Sequence, residues 1–215
     1  MDKVEDKAIV EADSGEEKTG KGLIKFLIWG PVIALLLIAA GAMLTREGEV
    51  ENRRPQIGDP ARDFTYPDLD GRPVTLSSFY GKKVVYVNIW ATWCTSCRFE
   101  LPTVQAMYKK FKGDDFEVLA VSIDALGKKA IVPFMKELGL TFPALQDITG
   151  SIQALYGATG VPESFIVDKR GRIALVEVGP GDWREPDKQA FIKSLMDEPD
   201  VDITEIEIME NYKDE

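Results

Sequence analysis

The feature that most constrains this chain is a junction. The β-rich apolar run Val84–Trp90 is followed at once by Trp93-Cys94-Thr95-Ser96-Cys97, which holds the only two cysteines of the protein. Seven such residues read as a strand covered on both faces. The residues after it, from Cys94 to about Phe111, read as a helix with Thr92 available as its cap. Two thiols thus stand at the first turn of a helix that leaves a buried strand.

A structural disulfide gains most when it closes a long loop, and a two-residue spacer closes almost none. A zinc site needs four ligands, and a single Cys-x-x-Cys supplies two. The chain contains no histidine. Cys-His hydrolases, imidazole-based mechanisms and His-dependent copper carriers are therefore excluded. Arg98 occupies the position where haem attachment would require histidine. Thiol–disulfide chemistry is what remains.

Two thiols in this setting have different jobs. A free thiol with a pKa near 8.5 is only about 3% ionised at pH 7. At a helix N-terminus, unpaired N–H groups and the helix dipole favour the anion. Cys94 is accordingly the nucleophile. Cys97, one turn further on, is placed to resolve the mixed disulfide that Cys94 forms. Glu100 is one more turn along; its spacing alone fits either a partly buried proton shuttle or an exposed glutamate. Pro102 inside the helix costs a backbone hydrogen bond and predicts a bend.

Elsewhere the chain divides by composition. Residues 1–25 form an N-terminal tail with seven acidic residues against five lysines. Residues 26–45 carry no charge and would span about 30 Å as a helix, the thickness of a bilayer core. Ala40-Gly41-Ala42 resembles a cleavage site, but the long acidic lead-in is unlike a signal peptide, so an uncleaved single-pass anchor is expected. No cysteine follows closely enough for a lipoprotein. Flanking lysines and arginines nearly balance, so charge alone does not orient the span. Residues 46–56 read as a linker, 57–196 as an α/β domain, and 197–215 as an acidic tail with nine acidic residues and one lysine. The formal charge of −10 belongs to the tails, because the body is balanced. No nucleic-acid footprint is indicated.

Within the domain, Phe64–Tyr66 and Val74–Leu76 flank an Asp70-Gly71 turn as a hairpin. Further strands are expected at 117–123, 164–167 and 173–178. Helices are expected at 129–138, 151–156 and 186–196, the first two closed by Gly139 and Gly157. Parallel crossovers followed by an antiparallel hairpin indicate three layers.

Val87-Asn88-Ile89-Trp90-Ala91-Thr92-Trp93-Cys94-Thr95-Ser96-Cys97-Arg98-Phe99-Glu100-Leu101-Pro102 resembles the W-C-x-x-C-x-x-E-x-P motif of membrane-anchored thioredoxin-like thiol-disulfide oxidoreductases of the ResA/TlpA/CcmG type, within the redoxin/AhpC-TSA superfamily. Gly160-Val161-Pro162-Glu163-Ser164-Phe165 resembles their second landmark, and the similarity runs from about Pro55 to Met196. The resemblance implies a three-layer thioredoxin fold with an N-terminal β-hairpin extension, preceded by one transmembrane helix. It also implies that Pro162 is a cis-proline facing the dithiol and that Val161 lends backbone groups to a substrate strand. Glu100 would be the acidic proton partner, and Trp90 and Trp93 would lie beneath and beside the dithiol. Glu163 would either touch substrate or lie on the surface. The Thr95-Ser96 spacer departs from the family by lacking proline, and the acidic tail has no counterpart in the usual pattern.

The function implied is that of an extracytoplasmic reductant, on the outer side of a bacterial cytoplasmic membrane. Its substrate would be a disulfide in an exported protein such as apocytochrome c, during cytochrome c maturation. No cofactor or metal is called for. In an oxidising compartment the dithiol must be recharged, which implies a membrane electron donor of the DsbD/CcdA kind. The competing readings are a disulfide oxidase or isomerase, a thiol peroxidase, and a dithiol copper chaperone.

Overall fold

The computed structural model describes residues 53–113 and 115–202, together with Leu35 and Ile38. The expected tail at 1–25, the transmembrane helix at 26–45 apart from those two residues, and residues 203–215 lie outside the described residues. Among the described residues no helix is long and apolar enough to cross a membrane.

The domain is built on β3 (Val84–Trp90), in which every residue is buried. It is central in a five-stranded sheet of order β5-β4-β3-β6-β7, comprising β4 (Phe116–Ser122), β5 (Ala144–Gln146), β6 (Glu163–Val167) and β7 (Ile173–Val178). β3, β4 and β5 are mutually parallel, whereas β6 is antiparallel to both β3 and β7. Helices α1 (Thr95–Phe111), α2 (Lys128–Leu138) and α3 (Ser151–Tyr156) make the crossovers, and α4 (Pro186–Met196) ends the domain.

Side-chain alternation along β3 creates two cores. Val84, Tyr86 and Trp90 pack with Leu101, Val104 and Met107 of α1, Ile131 and Phe134 of α2, and Ile192 of α4. Val85, Val87 and Ile89 point the other way, onto Phe64, Leu76, Ile152 and Tyr156. The three-layer α/β arrangement follows from a strand that is apolar on both faces.

Several boundaries differ from the sequence expectation. The hairpin strands are β1 (Thr65–Pro67) and β2 (Pro73–Thr75), because Leu76 leaves the ladder to become fully buried at the start of a 3-10 turn, Leu76–Phe79. β5 has no counterpart in the sequence reading; three residues carry no periodicity, and parallel pairing with β4 defines it. α1 runs unbroken through Pro102, which is exposed.

Both ends of the domain extend beyond their expected limits. Residues 53–56, read as free linker, lie on the body, with Arg62 Nη2 donating to the Arg53 carbonyl at 2.5 Å. At the other end Lys169 is buried and draws in residues read as tail. Its Nζ donates to the Glu198 carbonyl at 2.8 Å and to Asp200 Oδ1 at 2.9 Å. Val201 N donates to the Gly81 carbonyl at 2.8 Å. A buried ammonium needs acceptors, and the first acidic residues of the C-terminal segment supply them.

Candidate active site

β3 ends level with its parallel neighbour β4 and beside the start of antiparallel β6, so the loop after Trp90 emerges at the carboxyl edge of the parallel strands, where α/β sheets place their sites. Asp124, buried in the loop after β4, holds this segment. It accepts from Thr92 N at 2.9 Å, from Thr92 Oγ1 at 2.6 Å and from Ser122 Oγ at 2.7 Å. Thr92 is therefore engaged by Asp124 and does not take the capping role that the sequence suggested for it. Replacing Asp124 by alanine should strip these donors of their acceptor and cost about 1–3 kcal/mol. Urea unfolding of the variant checks this; a loss below the low end would mean water replaces the carboxylate freely.

The N-cap is Cys94 itself. Its backbone is extended, and its Sγ accepts from Cys97 N at 3.1 Å. The two cysteines are joined as a disulfide. When that bond opens, the same N–H is aimed at the Cys94 thiolate, with Ser96 Oγ 3.4 Å from the sulfur as a second donor. Cys94 is 6% exposed and Cys97 is 0% exposed, so an incoming disulfide reaches Cys94 first.

Around Cys94 lies an open hollow of about 520 Å³ lined by Trp93, Thr95, Ser96, Phe99 and Val161. Trp93 and Phe99, 65% and 73% exposed, stand together on the rim of the hollow and make an apolar patch of the kind that marks interaction sites. No charged side chain lines the hollow. Such a surface suits an extended polypeptide better than a charged small molecule. The Val161–Pro162 peptide is cis, and the Val161 carbonyl oxygen is 3.4 Å from Cys94 Sγ. Val161 precedes β6, so its backbone lies outside the sheet ladder.

Glu100 is buried behind the dithiol, which removes the exposed alternative. Its Oε1 accepts from Trp183 Nε1 at 2.9 Å and from Gly181 N at 3.1 Å, and its Oε2 accepts from Asn88 Nδ2 at 3.3 Å. Burial pushes its pKa above the ordinary carboxylate range, and the three donors offset only part of that shift. Asn88 Nδ2 also donates to Ser164 Oγ at 2.9 Å, which in turn bonds Tyr86 OH at 2.9 Å. Asn88 Oδ1 is buried without a donor. Rotating that amide turns the oxygen toward Glu100, where it accepts the proton of the neutral acid while Ser164 Oγ reverses to become a donor, at the cost of moving the NH2 to the side where Oδ1 has no partner. The network can therefore hold Glu100 in either protonation state.

Of the residues singled out from sequence, Trp93, Cys94 and Val161 meet at the hollow, with Cys97 and Glu100 behind it. Trp90 is fully buried, packed on Phe134. Glu163 corrects both readings offered for it. It is 1% exposed and its Oε1 lies 2.7 Å from Arg54 Nε, so it neither faces a substrate nor lies on the surface. Asn88 and Trp183 were missed. The first had a signal, as the amide in an otherwise apolar and aromatic strand. Trp183 had none, since 83 residues separate it from Glu100.

The protein-family model described as AhpC/TSA family matches residues 57–176. Thiol-disulfide oxidoreductase ResA of Geobacillus thermodenitrificans is 33% identical over 154 residues, covering 71% of this chain and 87% of its own length. ResA of Bacillus thuringiensis subsp. konkukian is 30% identical over 170 residues, covering 79% and 96%. Among solved structures, a candidate thiol:disulfide interchange protein DsbE from Chlorobium tepidum is similar at 33% identity and a TM-score of 0.60, over 66% of this chain and 99% of that one. A DsbF homologue from Corynebacterium diphtheriae follows at 26% identity and 0.56, over 64% and 87%. The mixed α/β fold is thioredoxin-like.

Proposed function

Because the chain belongs to the AhpC/TSA family and is a thiol-disulfide oxidoreductase, we propose that it serves as a reductant of disulfides in exported proteins, apocytochrome c among them. The observation that carries this reading is the pairing of one accessible sulfur in an uncharged apolar hollow with a buried, high-pKa carboxyl one helical turn behind its partner thiol.

The reaction starts from the dithiol. The Cys94 thiolate attacks one sulfur of the substrate disulfide, forming a mixed disulfide and expelling the other sulfur as a thiolate, which takes a proton. Glu100 accepts the Cys97 proton. The Cys97 thiolate then attacks Cys94 Sγ, closing the Cys94–Cys97 bond and releasing the second substrate sulfur, which is protonated in turn. Two electrons and two protons pass to the substrate. Recharging requires another dithiol, and a membrane electron donor of the DsbD/CcdA kind fits that need. The uncharged run at 26–45 supports a single-pass anchor, and the outer face of a bacterial cytoplasmic membrane is the side on which exported disulfides would be met.

Expressing the full chain with Cys97→Ser and Cys94 intact should trap mixed disulfides with exported cysteine-containing proteins, identified after non-reducing separation. Capture of cytoplasmic proteins alone, or of none, would remove this reading. A reduction potential near the thioredoxin value of about −270 mV agrees with a reductant, and one near −120 mV with an oxidase.

A further inference from the structure

The segment just before the domain is bound to the loop that faces Cys94. Arg54 Nη2 donates to Glu163 Oε2 at 3.2 Å, and Arg54 Nε lies 2.7 Å from Oε1 as an ion pair without hydrogen-bond alignment, so the guanidinium meets both oxygens of a carboxylate that is almost wholly buried. The Thr159 backbone N–H lies near enough to favour the Glu163 anion, although burial leaves the pKa of this carboxyl raised overall. One carboxylate therefore ties Arg54 to the short connection, residues 157–162, that ends in Val161 and Pro162. The connection reaches the site through the Val161 carbonyl, 3.4 Å from Cys94 Sγ, and its Pro162 carbonyl also accepts from Gly179 N at 3.0 Å.

The backbone is fitted to this grip. Gly157 has φ +59°, and a Cβ there would meet Arg54 N at 2.8 Å and Arg54 Cα at 2.9 Å. Only glycine permits both the conformation and the close approach. Arg62 adds a brace, donating Nη1 to the Leu155 carbonyl and Nη2 to the Arg53 carbonyl, each at 2.5 Å. Gln56 Nε2 donates to the Arg54 carbonyl at 2.9 Å. Residues 53–56 are a fitted strap.

We propose that Arg54 is a positioning residue for disulfide exchange: by gripping Glu163 it holds the 157–162 connection so that the Val161 backbone meets an incoming polypeptide beside Cys94. This inference rests on the exchange activity and is independent of which exported protein is reduced.

A polypeptide disulfide needs the Val161 backbone, whereas a small disulfide needs only Cys94. The full chain in detergent, wild type and Arg54→Gln, is assayed on insulin with dithiothreitol as the electron donor, and, pre-reduced and freed of donor, on dithiobis(nitrobenzoate) in a single turnover. Arg54→Gln is expected to raise KM for insulin about tenfold with kcat within about twofold, and to leave the rate on the small disulfide within about twofold. Arg54→Lys, which keeps the charge but loses the two-point geometry, should fall between them. Gly157→Ala, which displaces the strap without touching charge, should reproduce the KM effect and guards against a misfolded Arg54 variant. An unchanged KM for insulin in the folded variants, or an equal loss on both disulfides, would overturn the inference. Wild type inactive on both would overturn the exchange activity and the inference with it.

Discussion

Replacing Glu100 by glutamine should slow exchange at neutral pH by about 10²-fold, the low end for loss of a general acid–base group. The folded protein should nonetheless be no less stable at that pH. Glutamine keeps an oxygen for Trp183 Nε1 and Gly181 N, and rotation of the Asn88 amide provides an acceptor for the new NH2. The sign of the pH dependence follows from linkage. The folded protein holds the Glu100 proton more tightly than the unfolded chain, because burial raises its pKa above the ordinary value of 4.5. Stability therefore falls as pH rises from that value through the folded pKa, and levels off above it. Glu100→Gln removes this decline. Urea unfolding of both proteins at pH 4.5 and pH 7.5 should show the variant gaining on the wild type at the higher pH. If the wild type gains instead, the carboxylate is held as a stabilised anion and its role as proton acceptor from Cys97 has to be abandoned.

Trp183→Ala should be a severely damaging change in the helical layer, costing about 3–5 kcal/mol of the about 5–15 kcal/mol typical for a domain. Trp183 is fully buried, packs edge-on against Tyr86 at 4.7 Å between ring centroids, and fixes its loop through Trp183 N donating to Thr103 Oγ1 at 3.1 Å. Removing it opens a cavity under β3 and leaves Glu100 Oε1 short of a donor. Trp183→Phe separates the two effects. It keeps most of the packing and loses only the N–H, so the stability loss should be nearer 1–3 kcal/mol, and Glu100 should titrate higher still. The pH profile of exchange should then move upward in Trp183→Phe. A Phe variant with a wild-type pH profile would show that Trp183 acts through packing alone.

The two effects also mark what could be read from the chain. The helix spans at 151–156 and 186–196 and the hairpin strand at 173–178 came directly from periodicity and terminators, because glycine and proline stop elements locally. Cys94, Cys97 and Glu100 share one helix, so their spacing alone places them on one face. The short β5 and the pairing of Trp183 with Glu100 were not legible. Their definition lies in pairing across the sheet and between loops, and no local pattern encodes a neighbour so far away in the chain.

Glu163 shows the limit most sharply. Its place after Pro162 suggested a substrate contact or an exposed side chain, yet its partner is Arg54, 109 residues earlier. The same holds at the other end, where Lys169 gathers Asp115, Glu198 and Asp200. By itself the sequence determined the reaction, since two thiols at a strand-to-helix junction without histidine leave thiol–disulfide exchange. Only the tertiary structure decided which sulfur is open, what keeps Glu100 protonatable and where the chain ends are seated. Those properties depend on burial and on partners brought together by the sheet, and desolvation is a property of the folded surroundings that no single segment carries.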